Sequence, residues 1–269
     1  MQRAVLISLL TTFVWTASAL EGVPVDLNYV GKLSTAQLSR GRVLDDCPVF
    51  SNYLELGLRL GRDYGRFGVA HWHYHSLTPR LRGTRDRMFA ESDWFVFYSY
   101  DWRIADDWTF HARFSPRWFT LPFWDNTHAT VFEWYWKSSL DNPYLTPVLL
   151  VRVGQNPGHY IYYQPGLEKP IDLGHGFSLV PAFYLNMGNS EEAEYSFNVR
   201  PDGEHYHSPL LSLSAEVTLN YRVNDNVRLF ATLRQTEAAN EEGLHNLRTE
   251  DSLRSRDFTD FTLGLSLNF

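Results

Sequence analysis

Three histidines at alternate positions, His71, His73 and His75, are the residues whose type and spacing most directly suggest chemistry in this chain. On a β-strand, alternate side chains point to the same face and lie about 7 Å apart. Two neighbouring imidazoles are suitable ligands for zinc or copper, and His111 from a nearby strand would add a third. The alternative is a hydrogen-bonded polar surface without a metal. We favour this alternative, so the sequence predicts neither a metal ion nor a cofactor.

Ionisable residues of both signs also recur at alternate positions, in segments with the period-2 pattern of strands. Groups of both signs remain inside a membrane only if they pair with one another or line water. We therefore predict that they line the lumen of a barrel. The candidate lumen-lining residues are Glu55, Arg59, His71, His73, His75, Asp101, Arg103, His111, Arg113, Glu133, Lys137, Arg152, Glu216, Arg228 and Arg234.

Twelve predicted strands must position these side chains. Their ranges are 25–40, 52–60, 66–76, 93–103, 107–115, 127–138, 144–153, 159–164, 176–187, 210–221, 227–236 and 261–269. Short turns and longer loops alternate between them, which places both ends of the chain on the same side. Because lipid forbids an unpaired sheet edge, the first strand must pair with the last. The predicted fold is all-β: a single closed antiparallel transmembrane β-barrel, with ten or fourteen strands as alternatives.

Aromatic residues dominate the opposite face of the middle strands. Those predicted to point outward are Trp94, Val96, Tyr98, Tyr100 and Trp102, then Trp108, Phe110, Ala112 and Phe114, then Phe132, Trp134 and Trp136. Apolar residues in mid-strand with Trp and Tyr near strand ends are typical of the girdles of membrane barrels. A sugar-stacking platform is the functional alternative. We favour the girdle, because these residues lie on the face away from the charges.

The last predicted strand alternates strictly between apolar and small polar residues. The apolar set is Phe261, Leu263, Leu265, Leu267 and Phe269. A soluble β-sandwich would also tolerate this pattern, but the segment resembles the C-terminal signal of bacterial outer-membrane β-barrel proteins, in which a terminal Phe closes an amphipathic strand. The resemblance implies recognition by the barrel assembly machinery, insertion into the lipid of the outer membrane, and a Gram-negative source.

The first 19 residues resemble a secretory signal peptide. Arg3 supplies a positive charge, an apolar run follows, and Ala17-Ser18-Ala19 is a small-x-small cleavage site. The apolar run is shorter than the about 20 residues of a spanning helix. We therefore predict a signal peptide at 1–19 and one barrel domain at 20–269. The formal net charge of −7 argues against a nucleic-acid partner. Cys47 is the only cysteine, so the chain forms no internal disulfide.

The segment Leu38-Ser39-Arg40-Gly41, followed by Pro48 and an alternating strand, resembles the start of the TorF-type putative porins of Gram-negative bacteria. In that pattern an Arg-Gly pair ends the first strand, and Gly and aromatic residues surround the first hairpin. Residues in matching places are Gly61, Gly65, Phe67 and Trp72. An aromatic residue usually precedes the Arg-Gly pair, whereas this chain has Leu38. The resemblance covers about fifty residues and implies a small outer-membrane channel.

Taken together, these patterns predict a porin-like channel for the passive diffusion of small polar solutes. A twelve-stranded barrel lies between the packed eight-stranded barrels and the wide sixteen-stranded porins, so a narrow channel fits its size. A plugged structural or adhesion barrel is the first alternative.

An outer-membrane acyl hydrolase, in which a histidine activates a serine, is the second alternative. The chain contains His75-Ser76 and His207-Ser208. Adjacent residues of a strand face opposite sides, so neither pair can form its own catalytic hydrogen bond. The His-x-Ser-Asn-Gly stretch of outer-membrane phospholipases is also missing. We therefore predict that the chain is not an enzyme.

Overall fold

The period-2 pattern of the sequence forms β-strands throughout the computed structural model. The structure describes residues 25–39, 42–45, 47–60, 64–77, 89–120, 130–155, 159–189, 209–239 and 257–269. The strands are β1 (Val25–Ser34), β2 (Gln37–Ser39), β3 (Arg42–Asp45), β4 (Val49–Arg59), β5 (Arg66–Ser76), β6 (Phe89–Ala105), β7 (Trp108–Thr120), β8 (Thr130–Asp141), β9 (Thr146–Gly154), β10 (Ile161–Glu168), β11 (Ile171–Gly174), β12 (Phe177–Gly188), β13 (Leu210–Arg222), β14 (Val227–Ala238) and β15 (Asp257–Asn268). The described residues contain no helical segment with the length and hydrophobicity of a membrane span.

Twelve of these strands close into one antiparallel barrel. The ring runs β1, β4, β5, β6, β7, β8, β9, β10, β12, β13, β14 and β15. It closes where β1 pairs with β15, and backbone bonds of 2.8 and 2.9 Å join Leu27 and Phe269 in both directions. Strand β11 pairs with β12 alone and lies outside the ring. The predicted closed twelve-stranded barrel is confirmed.

Short turns and long connections lie at opposite ends of the barrel. The tight turns include residues 106–107, 175–176 and 223–226. Strand β1 begins and strand β15 ends at this same end of the barrel. In barrels of this class the short turns are periplasmic. Gly174 and Gly176, with φ of 77° and 81°, flank the β11–β12 turn, where the backbone needs the left-handed region. The alternation of turns and loops predicted from the sequence is confirmed.

A continuous apolar belt surrounds the barrel. Each of the twelve strands contributes at least one large apolar side chain that is more than a third exposed: Leu33, Leu54, Val69, Trp94, Trp118, Trp136, Leu149, Leu167, Phe183, Val217, Leu229 and Leu263. A monomeric soluble protein rarely exposes an apolar surface of this extent, whereas lipid covers it without cost. The outer surface is therefore the lipid-facing surface.

The buried side chains are, in contrast, mainly polar. Fully or nearly fully buried positions on the inward face include Ser51, Glu55, Glu91, Asp93, Ser115, Arg117, Glu133, Asn186, Ser214, Thr236 and Asp260. This distribution is the reverse of that in a soluble protein, and it follows from strand alternation: one residue in two faces lipid and the next faces the lumen.

The first strand is shorter than predicted. Strand β1 ends at Ser34, where its pairing with β15 also ends, and the chain then forms the two-stranded β2–β3 hairpin instead of continuing to residue 40. Gln37 and Leu38 of this hairpin line the central cavity, so the connection folds toward the lumen. Strand β7 is longer than predicted, because it continues to Thr120. The predicted signal peptide, Arg40 and Gly41 lie outside the described residues.

Candidate functional site

The structure separates the fifteen candidate lumen residues into three groups. Seven lie on the inward face within the barrel: Glu55, Arg113, Glu133, Lys137, Arg152, Glu216 and Arg234. Five lie on the inward side at the turn end: Arg59, Asp101, Arg103, His111 and Arg228. Three lie on the outward face: His71, His73 and His75.

The predicted inward position of the three histidines is wrong. In β5 the inward residues are Gly68, Ala70, Trp72 and Tyr74, because they lie opposite the inward residues of β4 and β6. Gly68 lies opposite Phe97 on the inward face, where a Cβ would come within 2.5 Å of the Phe97 ring, so the inward face accepts a glycine at this position. Because alternate residues of a strand share a face, the odd-numbered residues of β5, including the histidines, then point outward. Trp72, which inward-facing histidines would have placed on the lipid side, instead lines the central cavity.

An ion-paired layer, formed by Tyr53, Glu55, Arg66, Phe97 and Arg113, crosses the lumen nearer the turn end. Glu55 accepts hydrogen bonds from Tyr53 and Arg66 and, at 2.6 Å, from Nη1 of Arg113. Arg113 also donates to the Tyr53 hydroxyl at 2.8 Å and lies over the Phe97 ring, 3.9 Å from its centroid. Four strands contribute to the layer, and Glu55 at its centre is 3% exposed, so its charge is balanced by the two arginines and not by bulk water.

Cavities lie on both sides of this layer. The central cavity, of about 550 Å³, has Tyr53 and Arg113 of the layer in its lining on the side nearer the turn end. The second cavity, of about 380 Å³, opens toward the turn end and is lined by Glu55 and Arg66, with Arg59 at its edge. The ion-paired layer therefore lies between the two cavities.

A second charge cluster, the Arg117 cluster, lies in the wall of β6, β7 and β8 nearer the loop end. The guanidinium of Arg117 lies 3.1 Å from Glu91, 3.0 Å from Asp93 and 3.6 Å from Glu133. Glu133 also accepts a hydrogen bond of 3.0 Å from the Tyr160 hydroxyl. All four charged side chains are at most 7% exposed. One buried cation therefore compensates three buried carboxyl groups.

A third set of charges extends along the wall from β10 and β12, across β13, β14 and β15, to β1. Arg234 donates to Glu216 through Nε at 2.8 Å and Nη2 at 2.6 Å. Lys32 of β1 and Asp260 of β15 lie next to this pair. Glu168 accepts a bond of 2.9 Å from the Tyr184 hydroxyl. These charges of both signs keep this wall polar up to the central cavity.

Lys137 and Arg152, on the wall of β8 and β9, form no ion pair with the described residues. The Arg152 guanidinium lies over the rings of Tyr135 and Tyr162, 5.6 and 5.7 Å from their centroids. Both basic side chains line the central cavity. Lys137 is exposed and Arg152 is half-buried, and a cation without an ionic partner inside a membrane barrel needs water or a solute for its charge.

A network of hydrogen bonds between uncharged side chains links β10, β12 and β13 on the inward face. The Asn186 carboxamide accepts from Tyr162 at 2.8 Å and from Gln164 at 2.7 Å. It donates to Ser212 at 3.0 Å and to Ser214 at 2.9 Å. All four of its hydrogen-bonding positions are used, which explains how a fully buried amide is tolerated here.

The turn end carries exposed charged contacts. His111 bonds Asp101 through Nδ1 at 2.7 Å and Asp141 through Nε2 at 3.1 Å. Arg103 donates to Asp106 at 3.1 Å. His111 is therefore on the inward side near the turns, and the three outward histidines lie toward the opposite end of the barrel. Within the part of the chain described, no three His, Cys, Asp or Glu side chains are arranged to hold a metal ion together.

Several inward charged residues were missed by the sequence analysis. They are Asp26, Lys32, Arg66, Glu91, Asp93, Arg117, Glu168 and Asp260. The period-2 pattern already implied the face of two of them: Arg117 is four residues from Arg113, and Asp93 is eight residues from Asp101, so each pair shares a face of its strand. Extending the predicted strand beyond residue 115 would have found Arg117. Its partners come from other strands, and the sequence does not give those contacts.

The predicted outward residues are placed as expected. Trp94, Tyr98 and Trp102 are 57%, 42% and 62% exposed, and Phe114 and Trp136 lie on the same outer surface. Phe261, Leu263, Leu265 and Leu267 point outward, and Phe269 pairs with Leu27. Their role as an assembly signal stays a prediction.

No protein-family model and no curated protein sequence matches the chain. Among solved structures, an outer-membrane channel from Pseudomonas putida F1 has a TM-score of 0.51 at 11% identity, covering 92% of this chain and 96% of that chain. The KdgM porin in complex with disordered oligogalacturonate has a TM-score of 0.49 at 11% identity, covering 91% and 99%. Outer membrane phospholipase A from Escherichia coli has 0.48 at 13% identity, covering 90% and 92%. The likeness to the Pseudomonas channel is one of fold. Together with the apolar belt and the polar lumen, it identifies the chain as a closed twelve-stranded β-barrel of the membrane-spanning kind.

Proposed function

We propose that the barrel is a channel for the passive diffusion of small polar solutes. The observation that carries this proposal is the pair of cavities, one on each side of a single ion-paired layer, in a lumen lined by charges of both signs. Water and solute would move down this lumen without a cofactor or energy coupling. The transverse field of Lys137 and Arg152 on one wall, and Glu168 and Glu216 on another, would orient polar solutes.

The narrowest point would limit which solutes pass. In the ion-paired layer, the Arg113 side chain spans the space between Glu55 and the Phe97 ring. A solute must displace or pass this side chain. The proposal therefore predicts a small conductance and a low size limit, because passage depends on one side chain.

Single-channel recording in a planar bilayer tests the proposal. We expect the folded wild-type barrel to produce stable open-state conductance in KCl. Repeated absence of current from barrels that show heat-modifiable gel mobility would contradict it. That result would favour the plugged structural or adhesion barrel, for which the inward-folded β2–β3 hairpin is the supporting observation.

The second prediction concerns Arg113. Arg113→Ala removes the side chain that fills the layer, while Glu55 keeps Arg66 as an ionic partner. We expect the single-channel conductance to rise at least about twofold, because the narrowest cross-section widens. The measurement is the conductance histogram of the variant and the wild type in the same lipid and salt.

Arg152→Ala is the matched control. Arg152 is also an inward arginine next to an aromatic ring, but it lines the wide central cavity and not the layer. Its removal should leave the conductance within the wild-type distribution. An unchanged Arg113→Ala channel, or a larger increase in Arg152→Ala, would show that the constriction lies elsewhere.

One contact bears on the acyl hydrolase alternative. Ser92 Oγ lies 2.8 Å from His71 Nε2 on the lipid-facing surface, the distance expected between a nucleophile and its base. The pairs considered from the sequence do not gain support, because His75 and Ser76 face opposite sides and residues 207–208 lie outside the described range. Phospholipid hydrolysis that Ser92→Ala abolishes would establish this alternative in place of the channel.

A further inference from the structure

The outward histidines form a ladder on the outer surface of β5. The ring centroids of His71 and His73 are 5.1 Å apart, and those of His73 and His75 are 4.8 Å apart. Trp94, 57% exposed, lies beside His71 with its ring centroid 4.4 Å away. The ladder therefore begins beside an exposed aromatic residue and runs toward the loop end of β5. It lies on the outer face of the barrel and does not line the lumen.

These separations match those of two imidazoles on one metal ion. A metal–nitrogen bond of about 2.1 Å places each ring centre about 3.2 Å from the ion. Angles between square-planar and tetrahedral then separate the two ring centres by about 4.5–5.2 Å. We propose that His73, with either His71 or His75, binds one divalent transition-metal ion on the outer face of the barrel. Cu²⁺ should bind most tightly, because imidazole sites follow the Irving–Williams order.

The hydrogen bonds of the ladder are compatible with this role. Asn52 Nδ2 lies 3.0 Å from His73 Nε2. Since a carboxamide nitrogen only donates, His73 Nε2 must be the acceptor and so carries the lone pair that a metal requires. His71 Nε2 lies on the other side of the ladder, at Ser92. Chelation by His71 and His73 therefore requires one imidazole to turn, and the metal then replaces the hydrogen bonds of these nitrogens to the neutral partners Asn52 and Ser92.

Two protein ligands make an open site. The ladder lies toward the loop end of β5, where water at the membrane surface would take the remaining coordination positions. Because His73 belongs to both adjacent pairs, two ions cannot be chelated at once. The proposal therefore predicts one ion for each barrel. It does not depend on conduction, since none of these residues lies in the lumen.

Isothermal titration of tag-free, detergent-folded barrel with CuCl₂ tests the proposal, and heat-modifiable gel mobility verifies the fold of each variant. We expect one Cu²⁺ for each barrel. His73→Ala should weaken binding at least about tenfold, because only isolated imidazoles remain. His71→Ala or His75→Ala alone should weaken it less, since one adjacent pair survives. The double variant H71A/H75A should resemble His73→Ala.

Two further measurements fix the location. Electron paramagnetic resonance of the Cu²⁺ complex should show two coupled nitrogens in the wild type and one in His73→Ala. His111→Ala, at the opposite end and on the inward face, should bind like the wild type. No binding to the wild type, an unchanged affinity in folded His73→Ala, or loss of binding in His111→Ala would each overturn the proposal.

Discussion

Arg117→Met should destabilise the barrel by about 3–5 kcal/mol, the cost of removing one partner from a buried ionic cluster. The change leaves Glu91, Asp93 and Glu133 in the wall without the cation that lies within 3.6 Å of all three. Methionine retains most of the side-chain volume, so the decrease in the free energy of unfolding measures the effect of removing the charge. The measurement is the free energy of unfolding in lipid vesicles, from reversible guanidinium titration followed by tryptophan fluorescence.

Arg152→Met is the matched control for this prediction. Arg152 is inward-facing and contacts aromatic rings, but it has no carboxylate partner among the described residues. Its replacement should cost clearly less than that of Arg117, because no buried carboxyl group loses its counter-charge. Similar losses in the two variants would show that the Arg117 cluster is hydrated and contributes no special stability.

Arg117→Lys refines the interpretation. An ammonium keeps the charge but lacks the planar fork that reaches several carboxyl groups at once. We expect a loss between those of the wild type and Arg117→Met. A lysine variant as unstable as the methionine variant would assign the effect to guanidinium geometry instead of charge.

Strand alternation made the architecture predictable from the sequence. In β4, the leucines at 54, 56 and 58 and the intervening Tyr53 and Glu55 specify two faces without ambiguity, and both are confirmed. Each face assignment needs only local information, since neighbouring residues of a strand always point to opposite sides. The strand count and the closure between β1 and β15 followed because lipid tolerates no open edge.

The histidine strand shows where this reasoning fails. Both faces of β5 carry residues that tolerate either environment: imidazoles on one face, Trp72 and Tyr74 on the other. Polarity alone favoured inward histidines. The deciding constraint is steric and comes from another strand, because the Phe97 ring occupies the space that a side chain at position 68 would fill.

The contacts between side chains of different strands in the candidate site also cannot be predicted from strand alternation. The sequence predicted that Glu55 and Arg113 face the lumen, but they lie 58 residues apart and meet only through the relative stagger of the strands. Alternation fixes the face of a side chain and says nothing of its height in the barrel. The ion-paired layer therefore became visible only in three dimensions.

The last prediction uses two adjacent leucines in the middle of β9. Leu149 is 38% exposed on the lipid-facing surface, whereas Leu150 lies opposite the inward residue Lys137 and so faces the lumen. Leu149→Arg should lower the free energy of unfolding in lipid vesicles by about 2–4 kcal/mol, because it places an ionised group near the middle of the bilayer. Leu150→Arg should cost about 1 kcal/mol or less, since its guanidinium enters water.

Residue type, backbone neighbours and introduced charge are the same in both variants, so the difference isolates the environment of each face. Leu150 lies opposite Lys137, and the resulting like-charge repulsion is reduced by water and salt in the cavity. Raising the KCl concentration should therefore recover part of the loss in Leu150→Arg and little of that in Leu149→Arg. Equal losses in the two variants, with equal salt responses, would show that β9 does not separate lipid from a hydrated lumen.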